Sequence, residues 1–141
     1  MKIEWDERMS VGEDAIDSQH KKLLTHLNKL IENIATESEV MAVRETLEFL
    51  KNYIDEHFTY EEKYMQEYDY PGLYEHKKVH QEFVIFLQKF REDFEAVYSE
   101  GEAVSVKLEA LAEKAQKFLG DWFVRHILGD DMGYRDYISN K

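Results

Sequence analysis

Eight positions between residues 73 and 97 constrain this chain more than any other feature. Leu73, His76, His80, Phe83, Leu87, Phe90, Phe94 and Val97 are separated by gaps that alternate between three and four residues. That spacing is the inward row of a helix in a bundle, because residues three and four apart share one helical face. Two of the eight are histidines, one turn apart. A core row ordinarily holds Leu, Ile, Val or Phe, since an imidazole buried without partners is costly. Something in the interior must satisfy those two rings, and a metal is the candidate.

Three further segments carry rows of the same kind. A first helix over about 18–35, capped by Asp17 or Ser18, turns His20, Leu23, Leu27, Leu30 and Ile34 inward. A second, over about 37–68, opens with the capping-box spacing of Thr36 to Glu39. Its row is Val43, Leu47, Leu50, Ile54, His57, Glu61, Tyr64 and Tyr68. Asp69-Tyr70-Pro71-Gly72 makes a tight connection, with proline placed to open the third helix over 72–98. Ser99 and Glu102 repeat the capping spacing before a fourth helix over about 103–128. That helix turns Leu108, Leu111 or Ala112, Ala115, Leu119, Trp122 and His126 inward, with Gly129 as its stop. Residues 1–16 lack helical periodicity and read as an arm anchored by Trp5. One proline and six glycines in 141 residues agree with long helices. The expected fold is a single all-α domain over 1–141, an up-down-up-down four-helix bundle with an N-terminal arm.

In that topology His20, His57, Glu61, His76, His80 and His126 fall at heights along the bundle that agree to within roughly 10 Å, at ~1.5 Å per residue. His26, six residues after His20, lies on another face and is expected at the surface. Glu62 points about 100° away from Glu61 and is expected to be solvated. A buried carboxylate is rarer than a buried imidazole, so Glu61 on a core row strengthens the metal reading. There is no cysteine, which excludes thiolate sites, iron–sulfur clusters and disulfides. Five imidazoles with carboxylate are too many for one tetrahedral zinc. They suit two six-coordinate first-row ions bridged by carboxylate, whereas calcium and magnesium prefer oxygen alone. The Glu-x-x-His motif of ferritin-type di-iron proteins does not occur. A set this rich in histidine suits reversible ligand binding better than strongly oxidising chemistry. The net charge of −12 is spread along every segment, which argues against nucleic acid and anionic membrane as partners. No apolar run approaches a membrane span, so a cytoplasmic location is expected. The sequence names no protein partner or reductant.

The segments Trp5-Asp6, Val11-Gly12, Ile16-Asp17-Ser18-Gln19-His20, His57-Phe58-x-x-Glu61-Glu62, His76-x-x-x-His80 and His126-Ile127-x-x-x-Asp131 resemble the bacterial hemerythrins over essentially the full chain. Myohemerythrin is itself a standard example of the up-down bundle, so the expected fold and the resemblance are not independent. The resemblance implies a centre of two iron ions. His76, His80 and His126 would hold one, and His20 and His57 the other, which keeps an open position. Glu61 and Asp131 would bridge them together with an oxo or hydroxo group. Dioxygen would bind end-on at the open iron as hydroperoxide. From spacing alone Asp131 is a turn residue, about 140° around a continuing helix from His126. Only the resemblance makes it a bridge, with Gly129 expected to bend the chain and bring it inward. Leu23, Phe58, Trp122, Phe123 and Ile127 are expected to wall the pocket against water. The implied function is reversible dioxygen binding for storage, delivery or buffering, without enzymatic activity. Oxygen or redox sensing is the alternative, and a di-iron enzyme consuming peroxide or nitric oxide a weaker one, since the core rows hold no further acid–base residue. A chain that begins with its own methionine and ends about ten residues past Asp131 favours a stand-alone carrier over a fused sensor.

Overall fold

The computed structural model describes residues 3–36, 40–99 and 105–140. Helices α1 (Asp14–Ala35), α2 (Val40–Glu67) and α3 (Leu73–Ser99) are followed by a fourth, composite rod. This rod runs through α4 (Ser105–Lys114), a π-helical segment Ala115–Asp121, α5 (Trp122–His126), a second π-helical segment Ile127–Asp131 and α6 (Met132–Ser139). Helix α1 packs on α2 and on the fourth rod, and α3 packs on the same two neighbours, which closes a four-helix bundle. No strand occurs among the described residues.

The bundle divides into a dry half and a polar layer. In the dry half, Leu27, Leu30 and Ile34 of α1 meet Val43, Leu47 and Leu50 of α2, Leu87, Phe90 and Phe94 of α3, and Leu108, Leu111, Ala115 and Leu119 of the fourth rod. Leu111, not Ala112, takes the inward place. Each Leu or Phe so buried contributes about 1.5–3 kcal/mol. The polar layer near the other end therefore rides on an apolar scaffold continuous with its own walls.

Several expected boundaries move. Helix α1 starts at Asp14 rather than 18, because the Glu13 carboxylate accepts the Ala15 N–H and caps it there. Asp17 is consequently not a cap but a buried residue inside α1. Its carboxylate accepts the Val11 N–H at 2.9 Å and the Ser10 hydroxyl at 2.5 Å, lashing the arm to the helix. Gly12, at φ 77°, makes the corner between them, a conformation that a side chain resists. Met9 and Val11 are the buried anchors of the arm. Trp5 is only half-buried, with the Lys21 ammonium 4.3 Å from its ring. On α2, Met65 is buried in the last inward place, Tyr64 is half-buried and Tyr68 is exposed. Gly129 stops nothing, since the fourth rod passes through it and ends at Ser139. The starts expected at 37 and 103, with the capping residues Glu39 and Glu102, lie outside the described residues. Among the described residues no helix is long and apolar enough to cross a membrane.

Candidate metal centre

The polar layer gathers all seven residues singled out above, each of them buried. Two carboxylates stand in the middle. Glu61 Oε1 lies 2.9 Å from His80 Nε2 and 3.3 Å from His76 Nε2. Its Oε2 lies 3.3 Å from His20 Nε2 and 3.6 Å from His57 Nε2. Asp131 repeats the division. Its Oδ1 is 3.0 Å from His76 Nε2 and 3.2 Å from His126 Nε2, while its Oδ2 is 3.2 Å from His20 Nε2. Each carboxylate thus turns one oxygen to the trio His76, His80 and His126, and the other to the His20 side. Donor atoms of Glu61, His76, His80, His126 and Asp131 all lie within 4.8 Å of one another, and so do those of His20, His57 and Glu61. Two nests share Glu61. His26 stands apart, stacked on Phe49 at 4.1 Å with Nδ1 on the Lys22 carbonyl.

The π-helical segment explains Asp131. In an α-helix a five-residue spacing turns a side chain about 140° from its predecessor. A π turn bonds residues five apart, so His126 and Asp131 come onto one face. The expected bend at Gly129 is therefore wrong. Extra backbone within the turn, rather than a break in the helix, carries the carboxylate inward.

Donor chemistry tests whether a metal fits. Nε2 of His20, His57, His76 and His126 and both Asp131 oxygens are buried with no hydrogen-bond partner among the described residues. Each such group costs about 1–3 kcal/mol when left unsatisfied. These unpartnered atoms all converge on the two nests, and imidazole with carboxylate is a donor set for first-row divalent ions. The set fits.

Outer partners orient the rings. His57 Nδ1–H donates to Gln19 Oε1 at 2.7 Å, His80 Nδ1–H to Glu62 Oε2 at 2.7 Å, and His126 Nδ1–H to Asp130 Oδ2 at 2.8 Å. A proton held on Nδ1 leaves the Nε2 lone pair facing the nest. Glu62 is therefore not the solvated neighbour expected of it, because it reaches across to α3. Tyr134, missed in the sequence, is fully buried and donates its hydroxyl to Glu61 Oε2 at 2.8 Å. Of these four, only Asp130 carries a sequence signal, its four-residue spacing from His126. Aromatic rings close the layer. Phe58 lies parallel on His80 at 3.8 Å, Trp122 on His126 at 4.9 Å, and Phe123 stands edge-on to His20 at 5.9 Å. Leu23 and Ile127 are fully buried around them.

The electrostatics of the metal-free chain set a pH test. Burial pulls His20 and His76 down, but the Asp131 and Glu61 carboxylates outweigh it and raise them to about 9 and about 10. For His57 burial prevails, and its pKa falls to about 3. Burial pushes both carboxyls up, yet the surrounding histidines hold Glu61 well below, and Asp131 below, the usual carboxylate range. Histidines raised above their ordinary 6.5 stabilise the metal-free chain fully below that pH. They cease to do so as pH rises through about 9 and 10. The depressed carboxylates act above the usual carboxylate range and fail as pH falls through their lowered values. Burial pulls His80 down too, but the Glu61 and Glu62 carboxylates outweigh it and raise it. Metal needs neutral imidazoles, so loading at pH 7 should release about two protons or more per chain, from His20 and His76 with a share from His80. Calorimetry in buffers of different ionisation heat measures this; release near zero would contradict the arrangement. The melting temperature of the metal-free chain should also drop between pH 7 and 10.

The model of the hemerythrin HHE cation binding domain matches residues 11–138. A bacteriohemerythrin of Stenotrophomonas maltophilia is 33% identical over 136 residues, which cover 96% of this chain and 80% of the relative. A myohemerythrin of Theromyzon tessulatum is 31% identical over 132 residues, 94% of this chain and 90% of the relative. A bacteriohemerythrin of Clostridium acetobutylicum is 29% identical over 135 residues, 94% and 98% respectively. The matched span takes in every residue of both nests, from His20 to Asp131, and the chain belongs to the hemerythrin HHE cation-binding family.

Proposed function

We propose that the two nests hold two iron ions and that the protein binds dioxygen reversibly, as a store, carrier or buffer rather than as an enzyme. One observation carries this reading: the oxygens of Glu61 and of Asp131 are divided between the two nests. His76, His80 and His126 with one oxygen from each carboxylate give five protein donors on one side. His20 and His57 with the other two oxygens give four. A six-coordinate ion held by the trio would have one place left for solvent and one held on the His20–His57 side would have two, so the latter side would keep room for a further ligand. That place is where dioxygen would bind.

Two iron ions would supply the electrons that reversible dioxygen binding exchanges. The chain's own residues hold and shelter them. Glu61 spans both positions, and the Tyr134 hydroxyl fixes how its carboxylate turns. Gln19, Glu62 and Asp130 fix the rings of His57, His80 and His126. Phe58, Phe123, Leu23 and Ile127 exclude the water and protons that would carry bound oxygen on to irreversible oxidation.

Protein reduced without air and then oxygenated should develop a visible charge-transfer band that fades when oxygen is removed. Metal analysis should give about two irons per chain, the donor count being that of two six-coordinate ions. A band that never reverses would contradict the carrier reading, and stoichiometric zinc would contradict iron.

A further inference from the structure

Beside the nests lies a connected set of tyrosines, of which Tyr134 touches a residue of the nests through its hydroxyl. Tyr134 is fully buried, bonded to Glu61 Oε2 at 2.8 Å, with its ring 5.7 Å from that of His76. Two branches lead away from it. On one, Tyr64 stands edge-on at 6.0 Å and Tyr68 lies 5.1 Å further on, 40% exposed. On the other, Tyr70 stands edge-on at 6.3 Å and Tyr137, half-buried, lies 5.5 Å beyond. Backbone makes room for Tyr70. A Cβ on Gly133 would sit 2.7 Å from its hydroxyl, and one on Gly72 2.7 Å from its ring. Five of the nine tyrosines thus form one chain of ring contacts from a carboxylate of the nests to the surface.

Support of Glu61 accounts for the Tyr134 hydroxyl but not for the branches. A phenol gives up an electron more readily when its hydroxyl is hydrogen-bonded to an acceptor, as that of Tyr134 is to Glu61. Electron exchange between rings in contact is fast, because orbital overlap falls off exponentially with the gap. Phe58 and Phe123, which face the nests elsewhere, cannot take part, since a benzene ring is far harder to oxidise than a phenol.

We infer that Tyr134 and its two branches form a discharge path that carries oxidising equivalents from the nests to the protein surface. It rests on the reading of the nests as a di-iron oxygen site. With hydrogen peroxide as the oxidant, two phenols each give one electron and one proton. The peroxide O–O bond breaks and two waters form. Phenoxyl radicals that reach Tyr68 or Tyr137 on two chains then join through a carbon–carbon bond as dityrosine.

The experiment mixes the iron-loaded chain with a single equivalent of hydrogen peroxide, freezes it for electron paramagnetic resonance, and maps the oxidised peptides by mass spectrometry. The expected result is a phenoxyl signal, with dityrosine at Tyr68 and Tyr137. Tyr134→Phe, compared at equal measured iron content, should lower the signal to background. The double variant Tyr64→Phe/Tyr70→Phe leaves the bond to Glu61 in place, so the radical should stay on Tyr134 and dityrosine should vanish. That variant decides the matter if Tyr134→Phe loses iron. No phenoxyl signal, an undiminished signal in iron-loaded Tyr134→Phe, dityrosine unchanged in the double variant, or oxidation confined to Trp122 would each overturn the inference. Reversible oxygenation without any phenoxyl signal removes the discharge path alone, whereas a chain that binds no iron removes the reading beneath it.

Discussion

Glu61→Ala should strip both ions from the purified protein, leaving near-zero metal after dialysis against a mild chelator where the unaltered chain keeps its full complement. Glu61 turns an oxygen to each nest, and among the described residues it alone belongs to both groups of donor atoms that lie within 4.8 Å of one another. Removing an outer hydrogen-bond partner of a ligand typically costs 10–100-fold in affinity, and removing a bridging ligand must cost more. The same substitution leaves the buried Tyr134 hydroxyl without its acceptor, at about 1–3 kcal/mol. The fold should survive, because the Leu and Phe layers of the dry half do not depend on this carboxylate. Helical circular dichroism therefore separates loss of the site from loss of the bundle. Glu61→Gln keeps the shape and an acceptor for Tyr134 but loses the charge and one of the two oxygens, so it should retain metal only in part. Full metal content in Glu61→Ala would show that the nests are not joined as their geometry indicates.

What could be read in advance followed from helical period. His20, His57, Glu61, His76, His80 and His126 occupy places on three–four rows, and that spacing is a local property of the chain. The four-helix bundle follows from the same rows. Asp131 could not be read this way. Its place depends on a π turn, a shift of hydrogen-bond register that a row of three- and four-residue gaps does not describe. Outer partners escaped for a related reason. Gln19 adjoins His20 yet serves His57 on α2, and Glu62 adjoins Glu61 yet serves His80 on α3. A step of one residue turns a side chain about 100°, off the inward row and onto the flank that faces the next helix. Amphipathic analysis reads that flank as surface. Asp17 follows the same logic: a residue suited to capping is instead the buried acceptor for the arm, because Glu13 caps α1.

Those flanking bonds are unequal on the two sides, which leads to the second large effect. His80 and His126 each give Nδ1–H to a carboxylate, Glu62 or Asp130. His57 gives its own to the neutral amide of Gln19, and His20 Nδ1 is buried with no partner among the described residues. A carboxylate on Nδ1–H makes the opposite nitrogen a stronger donor. The trio is therefore the tighter grip, and the His20–His57 side is left with the less electron-rich ligands. Glu62→Ala should weaken metal binding by roughly 10–100-fold on the trio side alone, and Glu62→Gln, which keeps an acceptor but not the charge, by the lower end of that range. A competition titration against a chelator that resolves two binding steps should show one step displaced and the other unmoved. Gln19→Glu should do the converse, tightening the His57 side and narrowing the gap between the steps. If Glu62→Ala moves neither step, the bond to His80 contributes nothing to the ligand, and the asymmetry between the sides would have to arise from coordination number alone.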